Sequence, residues 1–376
     1  MTLSNLKKTG SFSNSLQGQL INWFKADHRD LPWRHTYNPY HVWISEVMLQ
    51  QTQMARGVTY FTRWVTRFPD TTAVADANRQ EILKYWEGLG YYSRARNLHK
   101  AAQIIVDDFA GEVPCDYDQL IQLPGIGPYT AAAVASVAGN RDIAVIDANV
   151  TRVYARLFDI DIPVKEKKAK DRIAGIANEL LPVGKSRLYN QALMELGGVV
   201  CTPKTPECSL CILSEFCLAF DRGTVNERPI TGISKKITTI QRLSGIVFHE
   251  GRILLLQRRE NDVWGGLWEF PGGELKKGEG EDVVADKISE STGLTVDIVD
   301  HITTVTHHYT RYKSILHCYL CKLQGDDIEP VLKSADDYRW ITPEELDHFG
   351  FPAGPRKVIE YIRKKCPALL TLTTCP

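Results

Sequence analysis

The sequence predicts a multi-domain protein in which an all-α domain precedes a mixed α+β domain. Three observations carry this expectation. The chain has 376 residues, a length that suggests two domains. From about residue 13 to 220, apolar side chains recur at helical spacing and strand-like alternation is scarce. Beyond residue 240 the pattern changes to short alternating runs bounded by turn residues, with helical stretches between them.

In the first half, Pro69, Gly88, Pro114, Pro124, Pro163 and Pro182 punctuate the helical windows. Residues 222–240 are polar and mixed, with Pro229, Gly232, Lys235 and Lys236, and read as a linker. Strands are expected over 243–248 and 252–257, joined by a hairpin at His249-Glu250-Gly251. An amphipathic helix follows over 280–292, with Val283, Val284 and Ile288 on one side. Strands over 294–306 and 313–323 and a closing helix over 355–365 complete the second half. The expected domains are therefore 1–221 and 241–366, with a linker at 222–240 and a tail at 367–376.

Composition narrows the function classes. Hydrophobic content is 43% and charged content 24%, both ordinary for a globular protein. No apolar run approaches the roughly 18 to 20 residues of a membrane helix, and residues 1–15 lack the apolar core of a signal peptide. A cytoplasmic monomer that does not contact membranes is the expectation. Lys and Arg together number 45, as do Asp and Glu, for a net charge of zero. Up to Val225 there are 25 basic and 23 acidic residues. Any nucleic-acid surface must then be a local patch or use backbone amides rather than a broad basic face.

Four of the nine cysteines form one cluster: Cys201, Cys208, Cys211 and Cys217, spaced C-x6-C-x2-C-x5-C. In a reducing compartment such a cluster suggests metal ligation before disulfides. Four sulfur ligands suit tetrahedral zinc or an iron–sulfur centre. Structural zinc sites more often pair two C-x2-C units, and only one is present. The other cysteines, Cys318 and Cys321 included, read as ordinary residues.

Leu123-Pro124-Gly125-Ile126-Gly127 lies between helical stretches at 117–122 and 128–138. Gly125 and Gly127 allow a sharp turn with positive φ, and Pro128 suits the first position of the next helix. The product is a helix start whose amides can hold a phosphate without a basic side chain.

Two carboxylates stand out. Glu46 sits in the helical stretch 41–54 among Trp43, Ile44, Val47 and Met48. A carboxyl in that company loses hydration, which raises its pKa and keeps a proton available near neutrality. A lone Glu on an amphipathic helix is more often exposed, and periodicity does not separate the two cases. Asp147 ends an apolar approach, Ala144-Val145-Ile146, just before a helix over 149–158. A helix N-cap is a sufficient role for it. Amide hydrogen bonds to a cap also depress its pKa, which would keep it ionised beside a cationic sugar.

Together these stretches resemble a family. Trp43-Ile44-Ser45-Glu46-Val47-Met48-Leu49-Gln50-Gln51-Thr52-Gln53 resembles the WxSExMLQQT signature of the MutY-type adenine glycosylases. The string LPGIGPYTAAAV resembles the helix–hairpin–helix of base-excision glycosylases. The cysteine spacing resembles the 4Fe-4S loop of the endonuclease III and MutY superfamily. The resemblance covers about residues 16–220, and the C-terminal half more loosely.

The resemblance implies an adenine DNA glycosylase of base excision repair, acting on adenine opposite 8-oxoguanine or guanine in double-stranded DNA. It implies a 4Fe-4S cluster on the four cysteines. Glu46 would protonate the adenine and then activate water, and Asp147 would stabilise the oxocarbenium-like sugar. Tyr129 and Asn149 would orient these groups. Arg29, Leu31, Trp33, Arg34 and Gln191 would surround the base. Gln51 and Tyr91 would wedge into the stack. Glycosylases that also cut the backbone carry a Lys at the position of Tyr129, so the resemblance implies a monofunctional enzyme.

The stretch from Trp264 to Glu274 resembles the opening of a Nudix fold. Of the glutamates in the Nudix motif REUxEExGU, only Glu290 remains, in Asp286-Lys287-Ile288-Ser289-Glu290-Ser291-Thr292-Gly293-Leu294. One carboxylate does not hold the ions that Nudix hydrolysis needs, so this half is expected to bind rather than hydrolyse. Where the family's 8-oxoguanine recognition loop usually reads Phe-Ser-His, this chain has Val305-Thr306-His307. Three rivals are weighed: an endonuclease III-like lyase, a catalytically silent DNA-binding protein, and a nucleotide hydrolase acting through the second half.

Overall fold

A computed structural model describes residues 10–232, 237–309, 311–325 and 328–370. Residues 1–9, Lys235 and Lys236 of the expected linker, and 371–376 of the expected tail lie outside the described residues. The helices are α1 Gly10–Asp27, α2 Pro39–Leu49, α3 Met54–Arg67, α4 Thr71–Ala75, α5 Arg79–Trp86, α6 Ser93–Phe109, α7 Tyr117–Leu120, α8 Pro128–Val137, α9 Ala148–Leu157, α10 Lys167–Leu180, α11 Ser186–Val199 and α12 Leu218–Asp221. The strands are β1 Thr238–His249, β2 Arg252–Arg258, β3 Trp268–Glu269, β4 Gly272–Glu274, β5 Val296–Tyr309, β6 Tyr312–Leu323 and β7 Ala335–Ile341, with α13 Val284–Thr292 and α14 Ala353–Lys365. Among the described residues, no helix is long and apolar enough to cross a membrane.

The chain divides into two compact units, Met1–Asp76 with Lys100–Ser234 and Ala77–His99 with Lys235–Pro376. The first unit is helical. Its main core joins Leu16, Leu20 and Phe24 of α1 to Val150, Val153 and Tyr154 of α9, Ile173 and Ile176 of α10, and Tyr189 and Leu193 of α11. Each such side chain contributes about 1.5–3 kcal/mol through burial. Helix α2 begins where Asn38 caps it, its Oδ1 accepting from the amides of Tyr40 and His41 at 2.8 and 3.3 Å. Residues Val42 to Met48 are all buried, so α2 is covered on every side rather than amphipathic. It ends at Leu49, not at residue 54 as the periodicity suggested, because Gln51 takes a left-handed conformation with φ 59°.

The second unit takes in residues 77–99 by contact. Residues 77–99 were expected in the first domain but pack with the C-terminal half. Three contacts explain this. The Trp268 indole donates to Gln80 Oε1 at 3.1 Å, Arg79 pairs with Glu260 at 3.0 Å, and Arg356 clamps the Glu87 carboxylate. The expected linker is also shorter than 222–240. Arg222 and Thr224 dock on Asp159 at 3.0 and 2.8 Å, and Thr238–Ile240 already belong to β1.

The sheet runs β3-β2-β1-β6-β5, with β4 also on β1 and β7 also on β2. Strands β1 and β6 are parallel, from Thr238↔Tyr312 to Phe248↔Lys322. The expected hairpin forms, with Glu250 and Gly251 both at positive φ. Strand β7 had not been expected; its burial does not alternate, running from buried Ala335 through exposed and half-buried residues to buried Ile341, which leaves no period-2 signal. The sheet is buried on both faces. Ile246, Phe248 and Leu320 pack with Val358 and Ile362 of α14, and Leu243, Val247 and Cys321 pack with Val284 and Ile288 of α13. Helix α13 approaches β1 so closely that a Cβ on Gly245 would lie 2.4 Å from Ile288 Cδ1.

Candidate active site

Three helices of the first unit bring one carboxylate pair together. Helix α2 supplies Glu46, α8 supplies Tyr129, and α9 begins after Asp147. All three residues line one open cleft of about 690 Å³, within the range of small-ligand pockets. The same cleft is lined by Arg29, Leu31, Trp33, Arg34, Gln51, Asn149 and Gln191. Nine of the residues singled out in the sequence thus meet there with Tyr129, from segments more than 160 positions apart.

Glu46 is only 8% exposed. Burial pushes its carboxyl up to about 7; a hydrogen bond from Tyr129 and the charge of Arg34 oppose this, while Asp147 adds to it. The Tyr129 hydroxyl donates to Glu46 Oε2 at 2.5 Å. The amphipathic-surface alternative for Glu46 is therefore wrong: α2 is covered all round.

Asp147 is the N-cap of α9. Its Oδ1 accepts from the Val150 amide at 2.6 Å and its Oδ2 from Asn149 Nδ2 at 2.7 Å. The sequence reading held that these bonds would depress its pKa. Burial outweighs them, and the carboxyl is raised overall. Asn149 is held in turn by Arg152, whose Nη2 donates to Asn149 Oδ1 at 2.7 Å and to the Gly197 carbonyl at 2.6 Å. Gly197 cannot carry a side chain, since a Cβ would lie 2.6 Å from Asn149 Cβ.

Sequence reasoning missed Glu195, a buried residue in the wall of the cleft. Arg29 donates to both its oxygens at 2.7 and 2.8 Å, and Arg34 to one at 2.8 Å. Despite burial, these bonds hold its carboxyl down to about 2. The pair accounts for Arg29 and Arg34 as a fixed cationic wall. No periodicity marks Glu195, because its partners lie more than 160 residues away. Leu31 and Trp33 are buried, the latter edge-on to Phe61 at 5.1 Å. Gln191 is buried and donates to the Arg187 carbonyl at 3.1 Å.

The hairpin forms, but of its two glycines only Gly125 takes a positive φ; Gly127 is extended at φ −90°. Gly125 has φ 77°, the Ile126 amide reaches the Leu123 carbonyl at 3.1 Å, and Gly127 caps α8 ahead of Pro128. Gly125 and Gly127 are both exposed, at a helix start whose first-turn amides lack intrahelical acceptors. Gln51 is exposed at the cleft edge. Tyr91 belongs to the second unit, 41% exposed with φ 48°. In that unit Thr306 and His307 sit within strand β5, not in a loop. They face opposite ways, Thr306 exposed and His307 only 6% exposed. The His307 ring packs against Trp264 and Tyr309 at 5.8 and 5.9 Å.

Cys201, Cys208, Cys211 and Cys217 line one pocket. Arg156 Nη1 lies 3.3 Å from Cys201 Sγ and Arg152 Nε donates to the Cys201 carbonyl at 2.8 Å. Burial, reinforced by the neighbouring thiols, pushes Cys211 up to about 11, so four thiolates together need cationic charge among them. Four thiols lining one pocket beside two guanidinium groups fit a sulfur-ligated metal centre.

Comparison with known proteins agrees with this geometry. Residues 44–179 match the HhH-GPD superfamily of base excision DNA repair proteins, and residues 244–361 match the NUDIX domain. A thermostable thymine-DNA glycosylase of known structure superposes with a TM-score of 0.52 at 28% identity, covering 57% of this chain and 99% of that one. A helix–hairpin–helix unit with two carboxylates in one cleft, followed by a Nudix-type sheet, defines a DNA N-glycosylase of base excision repair. The adenine DNA glycosylase of Buchnera aphidicola subsp. Acyrthosiphon pisum (strain APS) is 30% identical over 92% of this chain and 97% of its own length. That of Homo sapiens is 30% identical over 94% of this chain and 75% of its own length. The chain belongs to the adenine DNA glycosylase family.

Proposed function

We propose that the chain hydrolyses the N-glycosidic bond of adenine mispaired with 8-oxoguanine or guanine in duplex DNA, leaving an abasic site. The observation that carries this reading is a carboxyl poised near pH 7, Glu46, sharing a cleft with a second carboxylate, Asp147. Extruding a base costs a few kcal/mol and is easiest at a mispair. The extruded adenine enters the cleft beside Trp33 and Leu31, with Arg29, Arg34 and Gln191 on its polar edges. Gln51 and Tyr91 fill the space it leaves, and the hairpin amides at Gly125 and Gly127 hold a backbone phosphate.

Glu46 gives its proton to N7 of the adenine. The C1′–N9 electron pair then leaves with the base, and Asp147 faces the cationic sugar that remains. Glu46, now ionised, takes a proton from water as it attacks C1′. This is the two-carboxylate logic of glycoside hydrolysis. Tyr129 and Asn149 orient the two carboxylates. With a tyrosine where lyases carry lysine, no Schiff base forms.

The thiols of Cys201, Cys208, Cys211 and Cys217 fit a 4Fe-4S cluster, which when bound fixes the loop by thiolate ligation. Arg152 and Arg156 couple that loop to α9. In the second unit, Thr306 is the member of the recognition pair exposed to the opposing base, and His307 supports it from within the sheet.

Single-turnover base release tests this reading on duplexes with adenine opposite 8-oxoguanine, guanine or thymine. Release is expected opposite the first two. Glu46→Gln should be slower by roughly 10²–10⁴-fold, the usual worth of general acid–base catalysis. An unchanged rate in that variant, or a strong borohydride-trapped adduct in the parent, overturns it.

A further inference from the structure

We propose a zinc-class metal site in the second unit, formed by Glu281, His301 and His317. Their ligand atoms all lie within 4.8 Å of one another. None of the three belongs to the carboxylate cleft or the cysteine loop. Nor does the group include Glu290, the remnant of the Nudix motif.

A strand irregularity assembles it. Along β5 and β6, His301 pairs with Tyr319 and Thr304 with His317, with a register shift between His301 and Thr303. In a regular strand, residues 301 and 304 would face opposite sides. The extra residue turns both toward the face that carries His317 and Tyr319. Glu281 reaches the same place from the turn ahead of α13.

Polar groups already hold the three side chains in place, with Gln241 and Tyr319 on their outer atoms. Gln241 Oε1 is 3.3 Å from His317 Nε2. Thr304 Oγ1 is 3.1 Å from His317 Nδ1 and 3.0 Å from His301 Nε2. The Tyr319 hydroxyl donates to Glu281 Oε2. With Gln241 at Nε2, the His317 Nδ1 faces both the Thr304 hydroxyl and Glu281 Oε1, the latter 3.2 Å away. A cation placed there would join the imidazole to the carboxylate, with the Thr304 hydroxyl beside it. Imidazole held by such outer hydrogen bonds is the usual state of a metal-bound histidine.

Two imidazoles and a carboxylate select zinc and its transition-metal neighbours over magnesium or calcium, which take oxygen ligands. His317 is buried while His301 and Glu281 are exposed, so the ion enters from solvent and keeps an open coordination position. Bound there, it ties β5 and β6 to the start of α13.

The test is calorimetric titration of the full-length protein, cleared over a chelating resin, with zinc chloride. The parent is compared with His301→Ala and Glu281→Gln, both at exposed positions and both leaving the cysteines intact. Circular dichroism without zinc establishes that the variants fold like the parent. The parent should bind one equivalent more than either variant, or bind that equivalent about 100-fold more tightly. Zinc should raise the melting temperature of the parent and not of the variants. Indistinguishable isotherms for the three proteins overturn the site. So does a parent that takes up no zinc, in which a proton alone bridges His317 and Glu281.

Discussion

The Tyr129 hydroxyl donates to Glu46 Oε2 at 2.5 Å, joining helix α8 to helix α2 at the floor of the cleft. That bond stabilises the ionised carboxylate and so opposes the burial that raises Glu46 to about 7. Removing the hydroxyl with Tyr129→Phe should raise the Glu46 pKa further. In single-turnover base release, activity needs Glu46 protonated and falls as pH rises through its pKa. The alkaline limb, near pH 7 in the parent, should move to higher pH in the variant. A limb that stays put or moves down would remove Glu46 as the titrating acid.

Stability should follow the same group with the opposite cost. The folded pKa of about 7 lies above the ordinary glutamate value of 4.5. The favourable contribution of Glu46 is complete below pH 4.5 and is lost as pH rises through 7. Glu46→Gln removes that titration. Relative to the parent, the variant should gain stability between those limits by at most about 3 kcal/mol. Urea unfolding below and above this window measures it; a difference independent of pH would contradict the assignment.

Glu195 is 1% exposed and receives side-chain bonds from Arg29 and Arg34. Glu195→Ala leaves those guanidinium groups without their anion and should cost about 3–5 kcal/mol. The loss should appear in denaturant midpoints. A cost below 1 kcal/mol would mean that water replaces the carboxylate freely.

Gly197 lies against Asn149, where an added Cβ would sit 2.6 Å from Asn149 Cβ. Gly197→Ala should push α9 and α11 apart, costing about 1–3 kcal/mol by overpacking. The displaced Asn149 no longer orients Asp147, so base release should slow even where the protein remains folded. Parental rates in a folded variant would dissociate Asn149 from the chemistry.

The cysteine pocket should hold iron rather than zinc. Metal analysis of protein purified without oxygen should find about four irons per chain, with visible absorption from sulfur-to-iron charge transfer. Stoichiometric zinc in a colourless protein would rule the cluster out.

The sequence by itself determined the local chemistry: the Asp147 cap, the glycine turn at 125–127, the hairpin at 250–251, and four thiols in a short loop. These are set by neighbours within a few positions, where side-chain type and backbone preference suffice. Periodicity also separated the helical half from the sheet. It could not say that α2 is buried on every side, that residues 77–99 pack with the C-terminal unit, or that His307 turns inward. It gave no sign of Glu195 behind the two arginines, nor of the bulge that gathers His301 with His317. Those depend on partners from distant segments, and burial sets the outcome: it overrides the amide bonds at Asp147 and brings the Glu46 proton into the neutral range. Only tertiary packing decides which charges lose their water.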